Sequence, residues 1–384
     1  MIEHDVVSFA GGLSARLAAR TRHVCAFLGA GTSKACGLPD VATLQEKVVS
    51  KLDAGQKRIF ENILIGRNLE QVLSRLRRIA AIVEGTDSVD GLDADSALKL
   101  DGRICEIILE ELASDAVDLD PVLRFAAWVA RADYSRPLEI FTVNYDLLLE
   151  TALERWGAPY FDGFIGTLRG TFRSDLVDPS SSGGDDIPPF FARLWKLHGS
   201  LNWALDTRGN RSEVVRLGIP VTKGETPAAI YPSDTKYEES RRVPFVVLQD
   251  RLRRALAEPE TIVLVSGYSW ADEHLNEPFF EAATRRPRSE IIAFCFDSIP
   301  DSLAAHATVT PNLQVITQSE AILGGIRAPW KTPVDQVSED IWKDGSVTLG
   351  DFRALASFLA RGTSPQKELG DRIAELLRPE THPK

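Results

Sequence analysis

The sequence predicts an α/β protein with a Rossmann-like parallel sheet, helices on both faces and an inserted helical subdomain. Three observations lead to this fold class. Six short apolar runs are rich in β-branched or aromatic residues, as strands buried on both faces are. About a hundred residues with helical periodicity separate the first run from the second. A glycine-rich turn follows the first run, as in nucleotide-binding sheets.

The predicted strands are nearly continuous in apolar character rather than alternating, which is typical of strands covered by helices on both sides. In chain order they are VCAFLG (24–29), LEIFTVN (138–144), RLWKLHG (193–199), TIVLVSG (261–267), EIIAFCF (290–296) and LQVIT (313–317). We expect these runs to form one parallel sheet whose carboxyl ends share an edge.

The segment from about residue 44 to 135 has the period of amphipathic helices. Within NLEQVLSRLRRIA, Asn68 is a candidate N-cap with Gln71 three residues on. The apolar residues there fall on one stripe: Leu69, Val72, Leu73, Leu76 and Ile79. Because the block is too long for a simple crossover, we predict a helical subdomain inserted into a sheet domain that spans residues 1–327.

Beyond about residue 328 the sequence turns polar and helical without an obvious strand, which predicts a C-terminal helical extension over 328–384. The piece LGDFRALASFLARG places Phe352, Leu355, Phe358 and Leu359 on one stripe. That stripe either packs on its own domain or forms a contact with another subunit.

Composition excludes several functional classes. The chain of 384 residues carries 44 Lys and Arg against 55 Asp and Glu, a net charge of -11. This charge opposes a large surface for DNA or anionic membrane, so we expect no direct nucleic-acid or membrane partner. It does not exclude a small anion, because backbone N–H groups bind phosphate without net positive charge. No signal peptide and no membrane-spanning run is evident, and we expect a cytoplasmic protein.

The four cysteines are scattered at Cys25, Cys36, Cys105 and Cys295. No CxxC pair occurs, and structural zinc sites are built from such pairs. We therefore expect buried, apolar cysteines and no zinc.

The stretch CAFLGAGTSKACGLPD carries the glycine-rich turn. Its strand ends in Gly29, Ala30 and Gly31, and Thr32 and Ser33 follow. Glycines let a backbone approach a diphosphate closely, and the next helix directs free N–H groups at negative charge. The third glycine of GxGxxG is missing, so the turn alone fits an ordinary tight turn equally well.

Polar residues follow three other predicted strands. Asn144 and Asp146 end one strand, His198 ends another, and Ser266 and Gly267 end a third. Because the carboxyl ends of parallel strands share one edge, these side chains are expected to converge on the same crevice as the glycine-rich turn.

The blocks GAGTS…GLPD, TVNYD and LHG resemble, in order, the three signature blocks of the sirtuin family of NAD-consuming enzymes. The flanking pieces NLEQVLSRLR, IYPSDTKYEES and GYSWADEHLN resemble zinc-free sirtuin-like proteins of bacterial antiphage defence. The resemblance covers about residues 20–325. Two features differ from sirtuin deacetylases: Val41 and Ala42 follow Asp40 in place of Phe-Arg, and the four-cysteine zinc module is absent. Both differences oppose acyl-lysine chemistry and leave NAD binding intact.

The resemblance implies that Asn144 and His198 are catalytic. An amide offers both a donor and an acceptor, which suits a water and a ribose hydroxyl at once. An imidazole exchanges a proton near neutral pH. The residues alone leave simpler interpretations open: Asn144 and Asp146 as caps of the following helix, and His198 as a structural histidine at a strand end.

The resemblance also implies the binding residues. Asp146 would contact the nicotinamide amide, and Asp40 would lie on the same side. The turn from Gly29 to Ser33 would cradle the diphosphate, and Ser266 and Gly267 would support the adenosine half.

The activity implied by the resemblance is NAD+ glycohydrolysis, which yields ADP-ribose and nicotinamide and depletes host NAD+ during phage infection. An ungated enzyme would poison its own cell, so we expect control by oligomerisation, a partner or a signal. Chains of this length resemble those encoded beside a HerA-type hexameric ATPase, and we expect a homo-oligomer that docks on such a motor. An NAD-dependent protein deacylase, an NAD or ADP-ribose sensing module and an assembly scaffold remain alternatives.

Overall fold

A ten-stranded sheet forms the centre of the protein. The computed structural model describes residues 2–83, 87–112, 117–178, 187–188, 190–206, 213–221, 226–229, 243–361 and 366–378. Its strands are β1 (His4–Asp5), β2 (His23–Leu28), β3 (Glu139–Thr142), β4 (Tyr160–Phe161), β5 (Phe164–Ile165), β6 (Arg169–Phe172), β7 (Ala192–Lys196), β8 (Gly199–Asp206), β9 (Glu213–Leu217), β10 (Thr226–Ala229), β11 (Thr261–Ser266), β12 (Glu290–Phe294), β13 (Leu313–Ile316), β14 (Glu320–Leu323), β15 (Ile326–Lys331), β16 (Trp342–Lys343) and β17 (Ser346–Val347).

The helices lie between and after these strands. They are α1 (Val6–Ala18), α2 (Ala30–Ala35), α3 (Val41–Lys51), α4 (Ala54–Leu64), α5 (Leu69–Ile82), α6 (Ala94–Leu112), α7 (Asp120–Arg131), α8 (Leu148–Trp156), α9 (Ser174–Val177), α10 (Phe245–Ala257), α11 (Glu273–Arg285), α12 (Asp301–Val309), α13 (Phe352–Arg361) and α14 (Gln366–Leu376).

The predicted fold class is confirmed. All six apolar runs form strands, and they lie side by side in the order β13-β12-β11-β2-β3-β7, with every neighbouring pair parallel. From β2 the chain leads to β3 on one side, while β11 lies on the other. The strand order therefore changes direction at β2, and a crevice at the carboxyl ends of β2 and β11 is where ligands bind in such sheets.

Apolar side chains fill both faces of the sheet, as the continuous strand patterns require. One core contains residues of α1, α7, α8 and α13, and the other contains residues of α10, α11 and α12. All six residues of β2 and of β11 are buried. The crevice is thus built on strands that are covered on both faces.

The helical insert has a hydrophobic core of its own, formed by α3, α4, α5 and α6. The predicted cap of α5 is present: Asn68 Oδ1 accepts a hydrogen bond from the Gln71 N–H at 2.9 Å, and the Gln71 side chain accepts one from the Asn68 N–H at 3.1 Å. The predicted range of about 44–135 also included α7, but α7 packs in the core of the main sheet beside α13.

A second, antiparallel sheet in the order β10-β8-β9-β6-β5 was not predicted from the sequence. Four of its five strands have only two to five residues. In β9 and β6 buried residues are interspersed with polar, partly exposed ones, so no strong apolar run marks them. Strand β8 begins immediately after His198 and anchors that end of β7.

The residues beyond 328 are not all helical, because β15 runs to Lys331 and a β16–β17 hairpin follows. The predicted apolar stripe of α13 is buried against its own domain, and its members are Phe352, Leu355, Phe358 and Leu359. Arg353 at the start of α13 donates to Asp118 at 2.6 Å and to the carbonyl oxygen of Ala35 at 2.8 Å. The C-terminal segment is therefore tied to α2, and the stripe is used within the chain.

In the described part of the chain, no helix is long and apolar enough to cross a membrane. All four cysteines are buried, and none of the four forms a disulfide bond. Burial raises the pKa of the Cys36 and Cys295 thiols to about 12, which keeps both protonated at neutral pH.

Candidate functional site

The turn between β2 and α2 packs directly against the turn after β11. The N–H of Gly29 donates to the Ser266 carbonyl at 2.9 Å, and the N–H of Gly31 donates to the Gly267 carbonyl at 2.8 Å. A Cβ on Gly31 would lie 2.6 Å from the Gly267 Cα, and Gly267 itself has φ +66°. Two backbone segments therefore meet where any side chain would collide.

This packing gives the glycines a structural role. The sequence predicts that they let a diphosphate approach, and the structure shows that they also let one turn approach another. The N–H groups of Gly29 and Gly31 are engaged by the second turn, and the N–H of Thr32 donates to the Gly29 carbonyl at 3.0 Å. Each of these three N–H groups thus donates to a carbonyl oxygen of the protein.

Asn144 crosslinks the end of β3 to the β2–α2 turn. Its Nδ2 lies 3.0 Å from the Gly29 carbonyl oxygen, 3.0 Å from Thr32 Oγ1 and 2.8 Å from Ser33 Oγ. Because a carbonyl only accepts hydrogen bonds, the amide nitrogen must face it. The donor of Asn144 is thus used within the protein, and no hydrogen bond to its Oδ1 is found among the residues that the structure describes.

Asp146 belongs to the same network. Its Oδ2 accepts a 2.6 Å hydrogen bond from Ser33 Oγ, and its Oδ1 accepts one from the Leu148 N–H at 3.1 Å. The second contact reaches the first residue of α8, although the N-cap position of that helix is Leu147, which makes no side-chain capping hydrogen bond. Asn144 makes its side-chain contacts with the glycine-rich turn instead.

Lys196 is a site residue that the sequence analysis missed, although it lies in the quoted KLHG. It is buried, donates to the carbonyl oxygen of Asp146, and lies 2.9 Å from Glu150 Oε1. Burial raises the pKa of Glu150 against the opposing effect of the Lys196 charge. Lys196 therefore holds the backbone that follows Asn144 in place.

His198 follows β7 and is 8% exposed. Its Nε2 lies 4.0 Å from Oδ2 of Asp272, which is beyond a direct hydrogen bond and within electrostatic range. Asp272 was not singled out from the sequence. It directly precedes α11, and nothing in GYSWADEHLN alone tells which residue of that loop turns toward His198.

Asn276 on α11 fixes the loop that carries Asp272. Its Nδ2 donates to the Trp270 carbonyl at 2.8 Å, and its Oδ1 accepts from the Tyr268 hydroxyl at 2.9 Å. Asn276 is buried. Two hydrogen bonds from one side chain thus define the path of residues 268–272.

These elements enclose a cavity of about 280 Å³ at the carboxyl edge of the sheet. The predicted site residues in its wall are Ala30, Ser33, Asn144, Asp146, His198 and Gly267. The predicted residues outside the wall are Gly29, Gly31, Thr32, Ser266 and Asp40. The insert closes the cavity with the apolar side chains of Leu44, Leu69, Leu73, Ile108 and Leu112.

Asp40 is placed differently from its predicted role. It is the N-cap of α3, accepts the Thr43 N–H at 2.9 Å, and pairs with Lys34 Nζ at 2.7 Å. The hydrogen bond from Lys34, with those from Thr43, holds the pKa of Asp40 well below its usual range. Its neighbour Val41 lines the cavity instead. This arrangement is that of a helix cap.

Ser266 is also set back from the cavity wall, yet it has an unusual feature. Its hydroxyl is fully buried and has no hydrogen-bond partner among the residues that the structure describes. Its carbonyl receives the Gly29 N–H.

Among the described residues, one group offers three potential metal ligands: His23, Cys25 and Glu139. It lies at the opposite, amino end of the sheet. Glu139 already accepts hydrogen bonds from His23 at 2.9 Å, from Trp195 at 2.8 Å and from Arg251 at 2.7 Å. An Arg guanidinium on the carboxylate opposes a second cation there, so the donor set fits an ion-pair network rather than a metal site.

Comparison with known proteins adds to this geometry. The family model of the SIR2-like domain matches residues 138–315. Over this range the chain is similar to the SIR2-like domain. The matched segment runs from the residue before β3 into β13 and contains Asn144, Asp146 and His198. The GAGTS turn lies outside it, and IYPSDTKYEES lies outside the described residues.

Three solved structures of Sir2 homologue variants, each in complex with ADP-ribose, are similar to the chain at low sequence identity. A Phe-to-Ala variant is 14% identical with a TM-score of 0.41, covering 94% of this chain and 97% of its own. A His-to-Asn variant is 13% identical with a TM-score of 0.41, covering 96% and 99%. A Ser-to-Ala variant is 13% identical with a TM-score of 0.39, covering 94% and 97%. A search of curated proteins found no match.

Proposed function

We propose that this sirtuin-like chain is an NAD+ glycohydrolase that converts NAD+ and water into ADP-ribose, nicotinamide and a proton. One observation carries the proposal. A single cavity is lined by Asn144, Asp146 and His198, which follow two strands far apart in sequence. All three residues lie within the range matched by the SIR2-like domain.

In the proposed reaction the bond between C1′ of the ribose and the nicotinamide nitrogen breaks, and its electron pair leaves with nicotinamide. Water attacks C1′, and its proton passes to His198 and then to solvent. Oδ1 of Asn144 would accept a hydrogen bond from that water or from a ribose hydroxyl and so orient it, since its Nδ2 already faces the Gly29 carbonyl. Asp146, already fixed by Ser33, would accept from the nicotinamide amide.

The helical insert has a defined part in this proposal. Leu69 and Leu73 face the cavity from α5, and both are buried. Apolar walls exclude bulk water, so the attacking water would be a positioned one. At about 280 Å³ the cavity is at the lower limit for ligand pockets, which suits the nicotinamide ribose rather than the whole dinucleotide. The adenosine half would then lie toward Gly267 and Ser266.

We further propose a role in antiphage defence, in which NAD+ depletion stops phage growth, with the enzyme gated by homo-oligomerisation and by a HerA-type ATPase in the cytoplasm. Support comes from the sequence blocks that resemble such defence proteins and from a net charge of -11, which leaves DNA contact to the partner.

Chromatography of purified protein incubated with NAD+ tests the reaction. We expect equal amounts of ADP-ribose and nicotinamide, and no acyl-ADP-ribose when an acetyl-lysine peptide is added. Product only in the presence of the peptide would identify a deacylase. Binding of NAD+ without product, in the presence of the ATPase as well, would identify a sensing module.

Co-purification with the ATPase tests the partner. Deletion of residues 329–384 is unsuitable for this purpose, because it removes α13 from the main core. Exposed residues should be changed instead. We expect a stable complex with faster NAD+ hydrolysis than the chain alone, and an unchanged rate with no complex would contradict the gating proposal.

A further inference from the structure

Asp272 lies in the cavity wall beside His198. Its Oδ2 is 4.0 Å from His198 Nε2, and the side chains of Asp272 and His198 are 17% and 10% exposed. Opposite charges attract strongly at this distance when little water lies around them. The carboxylate therefore acts on the imidazole whenever His198 carries a proton.

Asp272 also occupies the N-cap position of α11, but its side chain does not cap the helix. At this position of four other helices an Asp or Asn side chain accepts a backbone N–H; these residues are Asp5, Asp40, Asp53 and Asn68. The Asp272 side chain makes no such hydrogen bond with the described residues at the start of α11. Because a capping bond stabilises a helix, the different placement of this carboxylate indicates another use.

The loop that carries Asp272 is strained. Trp270 is buried and has φ +58°, a left-handed backbone conformation that bulky side chains rarely adopt. Its ring packs on Phe279 with centroids 5.5 Å apart, and its carbonyl oxygen accepts a hydrogen bond from Asn276 Nδ2. Strain of this kind is retained where the surroundings enforce a conformation that a site needs. Here it is the conformation in which Asp272 faces His198.

The charges around His198 favour an ionised Asp272. Helix α11 begins at Glu273, directly after Asp272, and the partial positive charge of a helix N-terminus stabilises a carboxylate there. Burial, with the charge of Asp272, raises the pKa of Tyr268, so this hydroxyl stays protonated. The other titratable groups in the described cavity wall are Tyr145 and Asp146.

We propose that Asp272 is a positioning residue for His198: its carboxylate orients the imidazole and stabilises the imidazolium that forms when His198 accepts the proton of the attacking water. This role rests on the proposed NAD+ hydrolysis. Asp272 stays ionised throughout, and the proton leaves from His198 to solvent. A base oriented by a third group is a recurrent arrangement in hydrolytic sites.

Steady-state kinetics of Asp272→Asn test this role. Asparagine suits an N-cap position as well as aspartate does, so the melting temperature should not change while the charge is lost. We expect kcat to fall about tenfold or more and KM to change less than about twofold, because the carboxylate acts through His198 and not on NAD+. Asp53→Asn, at an exposed N-cap on α4, is the matched control and should leave both constants unchanged.

The titration of His198 gives a readout that needs no turnover. In NMR spectra of protein with isotope-labelled histidine, the His198 signal is the one that His198→Ala lacks. Loss of the Asp272 charge disfavours the imidazolium, so the midpoint of this titration should move about one pH unit lower in Asp272→Asn. The midpoint should stay unchanged in Asp53→Asn.

A kcat and a midpoint equal to those of the wild type would overturn the proposal. So would a raised KM with an unchanged kcat, because that result would place Asp272 on the substrate. If the wild-type chain forms no ADP-ribose, the proposed function fails instead. The titration of His198 then still decides whether Asp272 acts on it.

Discussion

The hydroxyl of Ser33 donates a 2.6 Å hydrogen bond to Oδ2 of Asp146, and this bond joins the turn after β2 to the end of β3. The same hydroxyl accepts from Nδ2 of Asn144 at 2.8 Å. All three side chains are buried and line one cavity. One serine thus holds in place both polar residues that the proposed reaction needs from β3.

Replacing this serine tests the network. Ser33→Ala leaves the Asp146 carboxylate without one donor and Asn144 without one acceptor. We expect a loss of about 1–3 kcal/mol in the free energy of unfolding and at least tenfold slower NAD+ hydrolysis. Urea denaturation and initial rates measure the two effects. Ser50→Ala, at an exposed serine that donates only to a nearby carbonyl, is the control. Equal rates for Ser33→Ala and the wild type would contradict the role of the network.

Lys196 gives a second prediction. Lys196→Met removes the buried cation that pairs with Glu150 and donates to the Asp146 carbonyl. Breaking one side of a buried pair costs about 3–5 kcal/mol, so thermal unfolding should occur at a clearly lower temperature. Adding Glu150→Gln removes the unpaired carboxylate and should recover part of the loss. A single variant as stable as the wild type would show that the ion pair is unimportant.

The pair of His23 and Glu139 predicts how stability depends on pH. Burial disfavours protonated His23, but Cys25 and Glu139 outweigh it and raise the pKa of His23 from 6.5 to about 10. Burial also opposes ionised Glu139, but His23 and Arg251 lower its pKa from 4.5 to about 2. Protonated His23 therefore stabilises the fold fully below pH 6.5, and this contribution is lost as the pH rises toward 10. Ionised Glu139 contributes above pH 4.5, and its contribution is lost as the pH falls toward 2.

Melting temperatures between pH 3 and pH 10 check this expectation, with about neutral or slightly acidic pH giving the highest value. In His23→Gln the fall of the melting temperature above pH 7 should become shallower. The fall at acidic pH should remain, because Arg251 still binds Glu139. If the melting temperatures of His23→Gln and the wild type fell with the same slope above pH 7, the stabilising role of protonated His23 would be contradicted.

Metal analysis gives a further prediction. We expect no stoichiometric zinc and no change in the melting temperature after treatment with a chelator, because the carboxylate of Glu139 is occupied by Arg251, Trp195 and His23. Zinc that is lost together with stability in Cys25→Ser would show that His23, Cys25 and Glu139 bind a metal.

The strands, and the polar residues that follow them, were predictable because continuous β-branched runs have few alternative structures in a soluble chain. Asn144, Asp146 and His198 follow directly from that sheet, since parallel strands bring their carboxyl ends to one edge. The cap of α5 was predictable for a similar reason: Asn68 and Gln71 interact locally, three residues apart.

Other features depend on contacts between distant segments, which a single sequence does not show. The role of Gly31 is set by Gly267, more than two hundred residues away. Asp40 has the residue type of a ligand contact, yet Lys34 and Thr43 make it a helix cap. No local pattern marks Lys196 or Asp272 as a site residue. The partner of Lys196 is Glu150 on α8, and Asp272 faces His198, which follows β7.

The rate of ADP-ribose formation by His198→Ala, measured beside the wild type and under the same conditions, tests the central claim most directly. His198 is a cleaner target than Asn144, whose amide also joins β3 to the glycine-rich turn. His274→Ala, at an exposed histidine on α11, is the matched control. Our account predicts that wild type and His274→Ala form ADP-ribose at similar rates, while folded His198→Ala loses at least 99% of the activity, about a hundredfold effect for removing a general base. Turnover by His198→Ala at the wild-type rate would contradict it.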